Sequence, residues 1–374
     1  MKKTLIIVGI LIFAISFAVY GGQKEEVSEE KTIAVSMWNT TGPSAVLCLG
    51  IVERAAKISG VKIVAMADDY NADNQIRNTE NFAAMGVDGI MHCNAADEVM
   101  AKVADIAAEE KLLFGQYFRT ISKPDIKKYV FDSPYYIGNT HENEENTGYI
   151  LGKKLGELGY KNVAVTTGPH GDFTAETRYK GLMRGLKEAG VKVLAEQWEV
   201  TTGETAVKAV ENFINIYPEL EVVCIMYSVE GITGARNAII NAGKQGKIKI
   251  AAMDFTGIPE VDMDMFEKGD AAILAGGHLI DPLFTYVMLA NAIMGTPLSD
   301  KPEEIILSHI MLTSLEEAEI YFTKMEEGGQ LRAYNDEEIK KMFKKFNPSL
   351  TIDDLKKMAK DWSIDDFKKR RGLK

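Results

Sequence analysis

Cysteine and positive charge are both scarce in this sequence. Three cysteines occur in 374 residues, at positions far apart: Cys48, Cys93 and Cys224. An odd number of scattered cysteines cannot form a disulfide framework, and no Cys-x-x-Cys pair indicates a zinc site. Asp and Glu together number 54 against 43 Lys and Arg, which gives a formal net charge of −11. Because nucleic-acid binding depends on clustered positive charge, we expect no nucleic-acid partner.

The motifs of common nucleotide-binding and hydrolytic sites are also missing. The sequence contains no Gly-x-Gly-x-x-Gly after its first predicted strand, no Gly-x4-Gly-Lys-Ser/Thr, no Gly-x-Ser-x-Gly and no His-Glu-x-x-His. These motifs hold phosphates, expose a nucleophile or bind zinc. The five histidines are too scattered for their spacing to indicate a metal site. We therefore expect no catalytic activity and no cofactor.

One acidic segment has the spacing of a calcium-binding loop. Asp69, Asn71, Asp73 and Glu80 occupy the first, third, fifth and twelfth places of such a loop. The sixth place, where the loop needs glycine, is Asn74. Because the segment lies between a predicted strand and a predicted helix, we favour helix-capping and turn-forming roles. We predict no metal site, and calcium binding here stays open as the alternative.

The N-terminal segment differs in composition from the rest of the chain. Lys2 and Lys3 precede an uncharged apolar run, Thr4–Tyr20. Such a run after a positive start is typical of a secretory signal peptide, and we predict one at residues 1–20. An uncleaved membrane anchor is the alternative, since the run is only slightly shorter than a spanning helix. No cysteine near the cleavage region offers a lipoprotein attachment site, and we expect the rest of the chain to work outside the cytoplasm.

Short apolar runs alternate with segments of helical periodicity from Thr32 onward. The predicted strands are Thr32–Met37, Val61–Ala67, Gly89–His92, Leu112–Tyr117, Asn162–Thr167, Val191–Ala195, Glu221–Tyr227, Ile248–Met253 and Ala271–Gly276. Continuous apolar strands separated by amphipathic helices are typical of parallel sheets covered on both faces. The pattern restarts after about residue 141, so we predict two doubly wound α/β domains.

Two further segments have a distinct pattern. Glycines recur every four residues at Gly148, Gly152 and Gly156, and this spacing predicts that a helix lies close to its sheet. The charge-rich segment from Gly328 onward is predicted to be a helical C-terminal extension, residues 328–374. Its amphipathic stretches are Asp336–Phe346, Ile352–Ala359 and Ile364–Arg371. We expect the extension to lie across the body of the protein, and a docking arm for a partner is the alternative.

A series of motifs in the second half of the chain has a characteristic order and spacing. The sequence reads NTGYILG at 146–152, NVAVTTG at 162–168, TRYKG at 177–181 and AGGHLIDP at 275–282. In this order the motifs resemble the type I periplasmic solute-binding proteins of sugar ABC importers, such as the ribose- and galactose-binding proteins. The resemblance extends over about residues 31–314.

This resemblance implies the type I periplasmic binding protein fold, in which two Rossmann-like parallel-sheet domains are joined by a three-stranded hinge. Residues 31–141 with 279–310 would form the N-terminal ligand-binding lobe, and residues 142–278 with 311–327 the C-terminal lobe. The crossings between lobes are placed near Phe131–His141, Gly277–Ile280 and Ile310–Thr313.

The resemblance also implies a function without bond chemistry. A monomeric periplasmic protein would capture a small polar ligand, most simply a sugar, in the cleft between the lobes. It would then deliver that ligand to the permease of an ABC importer. A non-sugar ligand such as an amino acid, nucleoside or signalling molecule stays open, and so does a ligand-sensing role beside a membrane receptor kinase.

Candidate ligand contacts follow from the same resemblance. Arg178 and Asp254 match the second-domain arginine and aspartate of sugar binders, and Arg119 matches the first-domain arginine after the fourth strand. Guanidinium and carboxylate groups suit vicinal hydroxyls because each forms paired hydrogen bonds; structural salt bridges are the alternative. His278 lies near the sequence position at which ribose binders have a glutamine. The other candidates lie at predicted strand ends: Trp38, Asn39, Cys93, Asn94, Phe118, Tyr227 and Ser228.

The sequence departs from the family pattern in the pocket itself. Sugar binders have Asn-Pro-Phe-Phe before the first helix, where this chain has Gly42-Pro-Ser-Ala45. Their Asn-Asp pair in the second domain is Ser228-Val229 here. Both stacking rings are thus missing from their usual place, while Trp38 and Phe118 supply rings nearby. We expect the family scaffold with an altered pocket.

Overall fold

A computed structural model describes residues 30–373. The predicted signal peptide at residues 1–20 lies outside the described residues. Within residues 30–373, no helix combines the length and the apolar composition that a membrane span requires. The described chain has the predicted fold class, two α/β units that each contain a mostly parallel sheet.

The first half of the chain builds most of one sheet. Its strands are β1 (Thr32–Met37), β2 (Lys62–Ala67), β3 (Gly89–His92), β4 (Leu113–Tyr117) and β5 (Tyr136–Glu142). They alternate with α1 (Pro43–Ser59), α2 (Ala72–Ala84), α3 (Asp97–Glu110) and α4 (Pro124–Phe131). All pairings among these strands are parallel. This arrangement explains the continuous apolar runs, because helices cover both faces of each central strand.

The second sheet repeats the alternation. Its helices are α5 (Glu144–Glu157), α6 (Phe173–Ala189), α7 (Gly203–Ile216), α8 (Val229–Asn241) and α9 (Pro259–Glu267). Its strands are β6 (Asn162–Thr166), β7 (Lys192–Gln197), β8 (Val222–Ile225), β9 (Lys249–Met253) and β10 (Ala271–Gly276). These five strands also pair in parallel, and every residue of β8 is buried.

The chain passes between the two sheets three times. Asn143 forms the first passage, between β5 and α5. The second runs through Gly277 and the 3₁₀ turn His278–Ile280 into α10 (Asp281–Ile293), which packs on the first sheet. The third is Ser308–His309, between β11 (Glu303–Leu307) and β12 (Ile310–Leu312). The complete strand orders are β11-β5-β4-β3-β1-β2 and β12-β10-β9-β8-β6-β7.

The strand that completes the second sheet, β12, departs from the parallel arrangement predicted for both sheets. β12 runs antiparallel to β10. β11 ends at the carboxyl edge of the first sheet, and only Ser308 and His309 connect it to β12. The chain therefore enters the second sheet at the edge where the parallel strands end, and it can only run in the opposite direction. The first passage follows the predicted segment Phe131–His141, and the third precedes Ile310–Thr313.

The glycine series on α5 faces α6 and not the sheet, so the predicted partner was wrong. A Cβ on Gly148 would lie 2.4 Å from the carbonyl oxygen of Arg178, which belongs to α6. A Cβ on Gly181 of α6 would lie 1.9 Å from the carbonyl oxygen of Glu145. Backbones approach this closely only where side chains are absent. The contact places Glu144, the first residue of α5, beside Arg178.

The chain continues after β12 with short elements. They are α11 (Leu315–Ile320), a π-helical turn (Tyr321–Met325), a hairpin of β13 (Glu326–Glu327) and β14 (Gln330–Leu331), and then α12 (Asp336–Lys340), α13 (Ile352–Asp361) and α14 (Ile364–Arg371). α12 is shorter than the predicted stretch Asp336–Phe346, whose second half forms turns. The extension packs on the body, where Phe343 and Trp362 are buried.

Candidate functional site

The carboxyl ends of the parallel strands from both sheets border a cavity of about 1010 Å³. In open α/β sheets this edge is the usual place for a ligand, because the loops that follow the strands present side chains and free backbone groups there. Seven of the eleven predicted contact residues line the cavity: Trp38, Phe118, Arg119, Arg178, Tyr227, Asp254 and His278.

Aromatic rings form the first-sheet side of the cavity. Trp38 and Tyr70 stack with ring centroids 5.7 Å apart and an interplanar angle of 7°. The Phe118 ring lies 5.8 Å from Trp38, and the guanidinium carbon of Arg119 lies 5.8 Å from the centroid of Tyr70. Within residues 30–373, Arg119 forms no ion pair. This wall offers flat apolar surface beside a cation without a carboxylate partner, which suits a polar ligand with an apolar face.

Phe118 and Asp254 occupy corresponding places in the two sheets. Each directly follows a strand, β4 or β9, and each has a positive φ, 61° and 80° respectively. Non-glycine residues seldom adopt this left-handed conformation, which costs about 1–3 kcal/mol, and such residues are enriched at functional sites. The Asp281 carboxylate accepts a 3.0 Å hydrogen bond from the Phe118 N–H, and the Ala275 carbonyl accepts one of 2.6 Å from the Asp254 N–H. These bonds hold both residues at the cavity.

Arg178 connects two carboxylates on the second-sheet side. Its Nε and Nη2 donate to the two oxygens of Glu144 at 2.8 and 2.9 Å, and its Nη1 donates to Oδ2 of Asp254 at 3.0 Å. Nη1 also donates to the Met226 carbonyl at 3.4 Å. Burial alone would raise the pKa of both carboxyl groups, but the guanidinium lowers the pKa of each below its ordinary value. With four of its five N–H groups engaged, Arg178 chiefly orients Asp254.

Two histidines approach Asp254 where the chain passes between the sheets. Nδ1 of His278 lies 3.7 Å from Oδ1 of Asp254, and the ring of His309 lies 5.2 Å from that of His278. Burial lowers the pKa of His278, and it lowers the pKa of His309 to about 4. Both rings are therefore neutral at pH 7. Histidines that are scattered in the sequence meet here, and their spacing did not indicate this contact.

Three of the other four predicted contact residues have hydrogen-bond partners within the protein, and the fourth is a buried thiol. Asn39 accepts hydrogen bonds from the backbone of the turn before α1, and the Ser228 hydroxyl caps α8. Asn94 accepts from the Gln116 side chain, and Cys93 is a free, fully buried thiol. These side chains support the loops behind the cavity wall.

The acidic segment after β2 begins a helix. Asn71 caps α2 by accepting a 3.0 Å hydrogen bond from the Asn74 N–H, and Asp73 lies in the first turn. Glu80 lies within the same helix. The segment therefore has the capping role that the sequence favoured over a calcium loop.

Several residues that line the cavity were not predicted from the sequence. They are Tyr70, Glu142 and Glu144, and, from the segment after β12, Tyr321, Phe322 and Glu326. Glu142 ends β5 and Glu144 begins α5, and two acidic residues at a strand end were a signal that could have been used. Burial, and then the nearby carboxyl of Asp281, raises the pKa of Glu142 well above its ordinary value. The segment after β12 gave no comparable signal.

Comparison with known proteins identifies the family. The family model described as periplasmic binding protein domain matches residues 33–259. The chain belongs to this family. Periplasmic binding proteins are solute-binding proteins that serve ABC importers and are not enzymes, in agreement with the absence of catalytic motifs.

Individual relatives are distant. The D-xylose-binding periplasmic protein of Escherichia coli K12 is 25% identical over 211 residues, which cover 54% of this chain and 61% of that protein. A periplasmic solute-binding protein from Actinobacillus succinogenes 130z, solved with bound D-allose, has a TM-score of 0.66 at 18% identity and covers 78% of this chain and 100% of its own. The arabinose-binding component from Shewanella sp. ANA-3 has a TM-score of 0.62 at 21% identity and covers 78% and 94%. These structures share the fold.

Proposed function

We propose that this protein is exported, captures a small polar solute in its cleft and delivers it to an ABC importer, and that the solute is a sugar or sugar-like polyol. The observation that carries this proposal is the cavity of about 1010 Å³ with rings on one side and ion-paired carboxylates on the other. A sugar has apolar faces that pack on aromatic rings and hydroxyls that pair with charged groups. The names of the D-xylose-binding and arabinose-binding relatives support the same solute class.

The proposed contacts are the seven predicted residues that line the cavity. Among them Arg119 is the sharpest probe, because no ion pair of the described chain depends on it. Arg178 is a poor probe, since its removal leaves Glu144 and Asp254 without their shared cation. Such a loss reduces folding stability whatever the ligand does.

A thermal-shift screen against sugars, polyols, nucleosides and amino acids identifies the solute. A ligand at 100 times its dissociation constant stabilises the folded protein by about 2.7 kcal/mol, which is readily seen. Calorimetry should then show that Arg119→Met weakens binding by about 2–4 kcal/mol. Arg77→Met is the matched control, because Arg77 is exposed on α2 and lies away from the cavity. Equal affinity for the wild type and Arg119→Met would remove Arg119 from the contacts.

A solute with a carboxylate is the second candidate. The charge of Arg119, which forms no ion pair in residues 30–373, favours it. Thr41 and Ser44 favour it too, since they line the same cavity just before α1 and in its first turn. A helix N-terminus and a guanidinium both favour an anionic group. The screen separates the candidates: stabilisation by sugar acids or amino acids, but by no neutral sugar, would overturn the sugar proposal.

Delivery to an importer needs its own test. Cells of the native host that lack this protein should lose uptake of the labelled solute at low external concentration. Unchanged uptake in such cells, with a lost transcriptional response to the solute, would instead support the sensing role beside a receptor kinase.

A further inference from the structure

Three side chains from distant parts of the chain converge at the junction of the two sheets. Asp254 follows β9, His278 lies in the second passage, and His309 lies in the third. One potential metal-ligating atom of each lies within 4.8 Å of those of the other two. Two donor atoms that share one Zn²⁺ at about 2.0–2.2 Å lie roughly 3–4 Å apart. The 3.7 Å between His278 Nδ1 and Asp254 Oδ1 has this spacing.

Each of the three side chains carries a buried polar atom that lacks a partner within the described chain. Asp254 Oδ1, His278 Nδ1 and His309 Nε2 are all buried and make no hydrogen bond there. His309 is only 8% exposed. A buried polar atom without a partner costs about 1–3 kcal/mol. Three such atoms on one cluster of side chains indicate a partner that can satisfy them together.

Hydrogen bonds around His309 determine which ring nitrogen carries the proton and leave Nε2 as an acceptor. The Thr147 hydroxyl donates its single hydrogen to the Asn143 carbonyl oxygen at 3.1 Å. Its oxygen therefore accepts from His309 Nδ1, 2.9 Å away, and this bond places the imidazole proton on Nδ1. Nε2 is left with a lone pair. In metal sites, the histidine nitrogen that does not bind the metal usually makes a hydrogen bond, and this bond fixes the tautomer.

A hydrogen bond also orients the Asp254 carboxylate and leaves one of its oxygens free for a cation. Arg178 Nη1 holds its Oδ2 at 3.0 Å and leaves Oδ1 free. The charge of Arg178 is already balanced by the two-point contact with Glu144, so the Asp254 carboxylate retains its attraction for a cation.

We propose that Asp254, His278 and His309 form a binding site for a divalent first-row transition metal ion such as Zn²⁺. Two imidazoles and one carboxylate are a donor set that suits such ions, whereas calcium and magnesium prefer oxygen alone. Asp254 and His278 also line the cavity, so the site borders the space proposed for the solute. The proposal goes beyond the proposed function, because metal binding does not depend on the solute being a sugar.

Titration of the full chain with Zn²⁺ in a calorimeter, after treatment with EDTA and dialysis, tests the site. We expect one ion per chain, and with Co²⁺ as the probe we expect visible ligand-field absorption. His278→Gln and His309→Gln should each weaken Zn²⁺ binding by at least about 100-fold. Thr147→Val keeps the side-chain shape, removes the bond that fixes the His309 tautomer, and should weaken binding about 10–100-fold. His170→Gln, at an exposed histidine away from the cavity, should bind as the wild type does.

Thermal melting without metal shows whether each variant folds, and Thr147→Val carries the test if a histidine variant does not. Wild-type binding no tighter than that of folded His278→Gln would overturn the proposal, as would Co²⁺ spectra that these substitutions leave unchanged. A protein that binds sugar but no Zn²⁺ would overturn the metal site alone. A protein that binds Zn²⁺ but no solute from the screen would overturn the proposed function alone.

Discussion

The indole N–H of Trp362, in α13's C-terminal cap, donates a 3.0 Å hydrogen bond to the carbonyl oxygen of Gly277. Gly277 lies in the second passage between the sheets and has a φ of 76°, a conformation that glycine adopts without strain. The extension also reaches the third passage, where the Ser308 N–H donates to the Ala359 carbonyl at 3.2 Å. The C-terminal extension therefore contacts two of the three segments that join the sheets.

We expect the Trp362 contact to matter for stability. The side chain is 1% exposed, so Trp362→Ala should lower the free energy of unfolding by about 3–5 kcal/mol. Trp362→Phe keeps a ring but removes the indole N–H donor, so it should lower the free energy of unfolding by less than Trp362→Ala does. Urea denaturation measures both. Trp198→Ala, at a half-buried tryptophan beside His170, is the control, and an equal loss there would contradict a special role for the extension.

Two glycine substitutions should have opposite effects. A Cβ on Gly181 would lie 1.9 Å from the Glu145 carbonyl oxygen, so Gly181→Ala should separate α5 from α6 and cost about 1–3 kcal/mol or more. Gly50 lies within α1, and a Cβ added there would have no neighbouring atom within 4 Å, so Gly50→Ala should stabilise by about 0.5–1 kcal/mol. Melting curves of the two variants decide the matter, and a stable Gly181→Ala protein would show that the helices can move apart.

Glu338 should make stability depend on pH. It accepts hydrogen bonds from Arg370 at 3.0 Å and Arg371 at 2.7 Å, which join α12 to α14. Burial alone would raise the pKa of Glu338, but these arginines and the Asn335 N–H lower it from 4.5 to about 2. A carboxyl with a lowered folded-state pKa stabilises fully above its unfolded pKa, and the contribution is lost as pH falls from about 4.5 toward 2.

The corresponding variant is Glu338→Gln. At pH 7 it should lower the free energy of unfolding by on the order of 2 kcal/mol, a figure reduced for partial solvent exposure. The difference from the wild type should shrink as pH falls below 4. Glu337→Gln is the matched control, because the Glu337 side chain is 75% exposed. If the difference in the free energy of unfolding between the wild type and Glu338→Gln stays constant between pH 7 and pH 3, the ion pairs are not its source.

Solute binding should draw the two sheets together. Trp38 and Arg119 lie on one side of the cavity and Asp254 on the other, and one small solute satisfies both sides only when the cleft is narrow. A ligand that binds the closed form better shifts the population toward it. The radius of gyration from small-angle scattering should therefore fall when saturating solute is added. Superimposable profiles with proven binding would remove closure from the mechanism.

The order of strands and helices could be read from the sequence because it depends on local periodicity. The predicted strands Thr32–Met37 and Gly89–His92 agree with β1 and β3. Burial on both faces requires a continuous apolar run, and a helix against a sheet requires an apolar stripe. Both signals lie within short windows of the chain. The family pattern likewise placed Arg178 and Asp254 at the same cavity edge.

Tertiary structure alone decided which distant residues meet. The sequence does not reveal that Gly148 faces Arg178, that Trp362 reaches Gly277, or that His309 joins His278. Each of these contacts depends on how complete elements pack and on the direction in which the chain crosses between sheets. No local pattern encodes that geometry, because the energy of such contacts is gained only after both partners have been placed by their own surroundings. The cluster proposed as a metal site and the contacts of the extension therefore form only in the folded protein.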